Sequence, residues 1–136
     1  MEITRTRPDS QAGPAEHFTG TVWLDELAAP PAPSRLRLFS VHFAPGARTA
    51  WHRHPHGQVL HVTEGVGLVQ RRGGPVEEIR AGDTVWTAPG EWHWHGATPG
   101  TFMTHLALVE AAEDGTTADW GCLTDDRTTD DAERAV

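Results

Sequence analysis

A chain of 136 residues with 14 glycines, 10 prolines, 38% hydrophobic and 22% charged residues has room for one hydrophobic core, and its mix suits short strands joined by tight turns. A formal net charge of −8 argues against nucleic acid and anionic membrane surfaces as partners, and no stretch is apolar for long enough to span a bilayer. One cysteine, Cys122, allows no internal disulfide, and the N-terminus lacks the apolar core of a secretory signal, so the expected compartment is the cytoplasm.

Residues 1–16 are polar and aperiodic, a predicted flexible arm. A first strand is expected around Gly20 to Leu24, and the stiff connector Ala28 to Pro33 separates it from the rest. From Arg35 to Phe43 the alternation changes phase between Leu38 and Phe39, which suggests a bulge or bend. Strands are then predicted over Thr49 to His54 and Gln58 to Thr63, broken by the turn Pro55-His56-Gly57 and closed by Gly65. Gly73-Gly74 marks a hairpin between Gly67–Arg71 and Val76–Arg80. Turns at Ala81-Gly82-Asp83, Pro89-Gly90 and Pro99-Gly100 separate further strands at Thr84–Thr87, Trp92–Ala97 and Thr101–Val109. After Glu110 acidic residues crowd the chain, so 111–136 is expected to be a largely disordered tail, with Trp120 and Leu123 able to dock back.

Six of the nine histidines fall in two short clusters: His52, His54, His56 and His61, then His93 and His95. Side chains alternate along a strand, so His52 and His54 project to one side, roughly 7 Å apart along the backbone. Gln58 opens the next strand on the same face as Leu60 and Val62. In Trp92-His93-Trp94-His95 both imidazoles share one face, and His105 shares its phase with Met103, Ala107 and Val109. Three strands thus send histidine toward a common interior, where unpartnered polar groups are costly unless something binds them. His56, in a turn, and His61, on the opposite phase from Gln58, are expected at the surface or rim. Phe39, Val41, Trp51, Leu60, Met103 and Val109 are the candidate cavity walls.

The spacing of Gly46, His52-Arg53-His54, Gln58 and Gly65, followed by Gly82-Asp83, Pro89-Gly90 and His93, resembles the two motifs of the cupin superfamily over residues 46–97. That resemblance implies an all-β, single-domain double-stranded β-helix, a jelly-roll barrel, over 17–110. It also implies one divalent metal ion held by His52, His54, Gln58 and His93. Gln58 stands where the superfamily usually has glutamate. A neutral amide leaves the ion more of its positive charge, which favours Lewis-acid work over oxygen activation.

Gly46 to His52, Gly73 to Arg80 and His93 to Ala97 are similar to a bacterial subgroup of small cupins that includes manganese-dependent hydroxynitrile lyases. The resemblance implies cleavage of a small-molecule cyanohydrin, with the metal as Lewis acid, His105 as the base and His95 orienting the nitrile or departing anion. It favours Mn(II), while the donor types also admit Fe(II), Ni(II), Co(II) or Zn(II). A dioxygenase of the quercetinase-like type and a non-catalytic small-ligand-binding cupin are the alternatives. Pairing through the sheets into a homodimer is the expected assembly.

Overall fold

Glycine and proline punctuate the chain into twelve strands, and every pairing between them is antiparallel among the residues described, 1–124, in the computed structural model. They are β1 (Gln11–Ala12), β2 (Phe18–Thr19), β3 (Val22–Ala28), β4 (Leu36–Phe43), β5 (Arg48–Thr49), β6 (His52–Arg53), β7 (Gln58–Arg71), β8 (Glu77–Arg80), β9 (Thr84–Thr87), β10 (His93–Ala97), β11 (Met103–Glu110) and β12 (Asp119–Trp120). The fold is the all-β barrel expected from the sequence. No helix is long and apolar enough to cross a membrane among the described residues.

One sheet is built from β1, β3, β4, β11, the first half of β7 and β9. The second half of β7 pairs with β8 and β10, and β10 continues to β5 and β6. A single strand therefore belongs to both sheets. Gly65 does not end it, contrary to the sequence expectation. Its φ of +81° bends the strand, and a Cβ there would lie 1.9 Å from the Phe102 carbonyl oxygen, so only glycine lets the chain pass through the corner.

Val22, Val41, Phe43, Leu60, Val62 and Met103 form the main core between the sheets. A second cluster, Trp51 and Trp94 with Leu68, Val76 and Trp92, lies on the other face of β10. This follows from the Trp-His-Trp-His alternation, which sends imidazoles inward and indoles outward. Gln70 anchors the indole layer, accepting from Trp94 Nε1 at 2.7 Å and donating to the Gly74 carbonyl at 2.9 Å.

Three expectations change. The predicted strand over Thr49 to His54 is two short strands, β5 and β6, interrupted at Ala50-Trp51, so His54 lies beyond a strand end. Trp51 leaves the cavity wall for the indole cluster, and Leu60 and Met103 pack in the core. The phase change at Leu38/Phe39 does meet an irregularity, but the extra residue sits opposite, between Glu26 and Ala28 on β3.

Among the described residues, the N-terminal arm and the segment 111–124 are better anchored than composition predicts. The arm places β1 on β3, and Ser10 donates to the buried carboxylate of Asp25, which also pairs with His42 Nε2 at 2.9 Å and Arg7 at 3.9 Å. Past Glu110, β12 pairs with β6, Trp51 N donates to Cys122 O at 3.0 Å, and Gly121 N donates to Trp51 O at 2.6 Å. Backbone pairing and the indole of Trp120 supply what the acidic composition lacks. The remaining part of the expected tail, 125–136, lies outside the described residues.

Candidate functional site

β6 and β10 run antiparallel with His93 directly opposite His52, which brings their rings to 4.3 Å between centroids. The turn 55–57 then returns the chain so that Gln58 enters β7 beside Thr87 and Val109. His54, at the head of that turn, lies 5.0 Å from the His52 ring and 5.5 Å from that of His93. All four residues are buried. The structure thus brings together His52, His54, Gln58 and His93.

Tautomers follow from the partners. His52 Nδ1 faces the Ala50 carbonyl at 2.9 Å, His54 Nδ1 the Thr117 carbonyl at 2.7 Å, and His93 Nδ1 the Glu91 carbonyl at 2.9 Å. A carbonyl can only accept, so each Nδ1 carries the proton and each Nε2 presents a lone pair. Burial holds all three imidazoles neutral: it lowers His54, pushes His93 down to about 4, and together with the neighbouring His93 and His54 drives His52 well below the usual value.

His95 and His105 extend the cluster. The ligand atoms of His52, His93 and His95 lie within 4.8 Å of one another, a three-histidine group able to hold a metal ion. His95 Nδ1 meets His105 Nε2 at 3.0 Å. His105, on β11 between Val41 and Val62, is fully buried, and burial pushes it down to about 4. Among the described residues the buried His54 Nε2 and His95 Nε2 have no hydrogen-bond partner. The lone pair that the Thr117 carbonyl leaves on His54 Nε2 is what a cation would satisfy, so the donor set fits a bound divalent metal.

A cavity of about 240 Å³ opens beside these groups, lined by Leu24, Phe39, Val41, Val109, His105 and Trp120 among others. Phe39, Val41 and Val109 are where the alternation places them. Sequence reasoning missed the contribution of the Thr117 carbonyl, because a backbone acceptor leaves no signature in residue type. It also passed over His17, whose ring stacks on Trp120 at 4.1 Å between centroids. His56 is exposed in its turn, and His61 faces outward to Thr84 Oγ1 at 2.8 Å, away from the cluster.

Residues 39–109 match the family model described as "Cupin domain". The chain is 56% identical over 121 residues to an (R)-mandelonitrile lyase of Granulicella tundricola, covering 88% of this chain and 92% of that protein. Among solved structures it resembles a cupin-like protein from Thermotoga maritima, at 33% identity and a TM-score of 0.79, covering 99% of this chain and 98% of that one. A polyketide cyclase from Streptomyces resistomycificus shares the fold at 20% identity and a TM-score of 0.74 over 98% of this chain and 97% of its own.

Proposed function

This chain belongs to the cupin family, and from that premise we propose that it is a metal-dependent hydroxynitrile lyase that cleaves a small aromatic cyanohydrin into aldehyde and hydrogen cyanide. The observation that carries the proposal is the meeting of preset imidazole lone pairs with a neutral, buried His105 at the wall of one apolar cavity. The similarity to an (R)-mandelonitrile lyase supports the substrate class.

His52, His54 and His93 through Nε2, with the Gln58 amide oxygen, would hold the ion, and a divalent cation there supplies Lewis-acid polarisation of the substrate oxygen. Mn(II) suits this neutral nitrogen and oxygen set, as Fe(II), Ni(II), Co(II) and Zn(II) also do. His105, neutral at physiological pH, accepts the hydroxyl proton of the substrate. As the carbon to oxygen double bond forms, the bond to the nitrile carbon breaks and its electron pair leaves with cyanide. The proton returns from the imidazolium to cyanide, releasing hydrogen cyanide. His95, 3.0 Å from His105, takes part in holding that proton and orients the departing anion. Phe39, Val41 and Val109 receive the aromatic ring.

We read the assembly as a homodimer through the outer face of the first sheet. Leu38, Leu108, Val59 and Trp86 lie in register across β4, β11, β7 and β9 there, and Trp86 is 59% exposed.

The deciding experiment measures release of benzaldehyde from mandelonitrile by protein stripped of metal and reloaded with Mn(II), with oxygen consumption followed alongside. Cleavage that appears on reloading without oxygen uptake is expected. No cleavage by fully loaded protein, or oxygen uptake in its place, would overturn the lyase assignment.

A further inference from the structure

The segment Thr117–Thr124 adds Thr117, Ala118 and Trp120 to the cavity wall and touches two imidazoles of the site by different means. The Thr117 carbonyl accepts from His54 Nδ1 at 2.7 Å. Trp120, paired in register with His52, stacks its indole on the His52 ring at 4.8 Å and 25° and on the His17 ring at 4.1 Å and 5°. Asp119 binds Arg53 at 3.1 Å, the Thr124 carbonyl accepts from Arg48 at 3.4 Å, and the two backbone bonds with Trp51 complete the attachment. No reaction step assigned above uses this strap.

We propose that the strap is a positioning element of the metal site, with Trp120 its principal side chain: it fixes the ring plane of His52 and the tautomer of His54, so that strap docking and metal binding assist each other. The inference rests on the metal site proposed above. The physics is that of partners lying behind metal ligands. A histidine whose outer nitrogen is held, or whose ring is packed, presents Nε2 without first losing rotational freedom, and removing such a partner weakens metal binding. Coupling of this kind is reciprocal. An ion that fixes His52 and His54 in the orientations the strap recognises must tighten the strap by the same factor.

The test is a chelator-competition titration of the full-length protein with Mn(II), using wild type, Trp120→Ala, Trp120→Phe and Asp119→Ala. Trp120→Ala is expected to bind Mn(II) at least about tenfold more weakly, Trp120→Phe to recover most of that loss because an aromatic face remains, and Asp119→Ala to fall between them. Hydrogen exchange of wild-type residues 117–124 is expected to slow when Mn(II) is added. Wild-type affinity in a folded Trp120→Ala variant overturns the strap's role and leaves the metal site standing. Where that variant does not fold, unchanged exchange in wild-type 117–124 on adding metal overturns it equally. A wild type that binds no Mn(II) overturns the metal site, and the strap's role with it.

Discussion

His93 Nε2 and Gln58 Oε1 face each other at 3.1 Å in the buried centre of the site. The Glu91 carbonyl holds the His93 proton on Nδ1, and burial keeps the ring neutral. With the amide oxygen turned inward, both facing atoms are therefore lone-pair donors. Two acceptors at hydrogen-bond distance repel unless a cation joins them.

Replacing the oxygen tests this opposition, because the two forms of the protein should respond with opposite sign. Gln58→Met keeps the volume and removes the acceptor. The metal-free protein is expected to be as stable as wild type or up to about 1 kcal/mol more stable, while Mn(II) affinity falls. Thermal melts with and without chelator measure both. A less stable metal-free variant would show that the amide nitrogen, donating to His93, is the inward atom.

His105 is separable from the metal donors. In His105→Leu, mandelonitrile cleavage is expected to drop by about 10² to 10⁴ while metal content stays at the wild-type level. Equal turnover in variant and wild type removes His105 from the proton transfer.

Acid should weaken the metal-free fold in a defined window. Above pH 6.5, the ordinary histidine value, His93 and His105 are neutral whether the chain is folded or not. Between 6.5 and about 4 the unfolded chain takes up protons that the buried rings refuse, so stability falls as pH falls. The loss is on the order of 3 kcal/mol for each such group. Asp25 acts lower, since the Ser10 hydroxyl and then the His42 ring hold its carboxyl below the usual value of 3.8. Urea unfolding of metal-free protein at pH 7.5, 6 and 5 measures the slope, and a stability independent of pH over that range contradicts the buried neutral state.

Gly65 and Gly73 offer a controlled comparison, because both have positive φ, +81° and +79°. A Cβ at Gly73 meets nothing within 4 Å, whereas one at Gly65 lies 1.9 Å from the Phe102 oxygen. Gly73→Ala is expected to cost about 1 to 2 kcal/mol for the backbone conformation alone. Gly65→Ala is expected to cost more than about 4 kcal/mol or to prevent folding. Similar melting temperatures for the two variants would show that the corner relaxes.

Much of this was legible because strand alternation is a local rule. Trp92-His93-Trp94-His95 on its own separates an indole face from an imidazole face, and His105 declares its side by the company of Met103 and Ala107. Strand phase does not account for His54, because β6 ends at Arg53 and the turn aims the ring. The fate of Gly65 was illegible from neighbours in sequence, because the atom that forbids a side chain there belongs to Phe102, thirty-seven positions away. The grip of Thr117 on His54 was equally hidden, since any residue type can offer that oxygen.

The shared strand β7 also ties the two halves of the site to one another. Along it the two sheets are continuous, and the chain crosses between them again at 20–21 and 44–47, so neither wall is an independent body. His105 sits on one wall and His52 on the other, with Gln58 on the strand they share. A substitution that tilts that strand is therefore felt on both sides of the cavity at once, and alters the spacing of imidazoles that no single sheet holds alone.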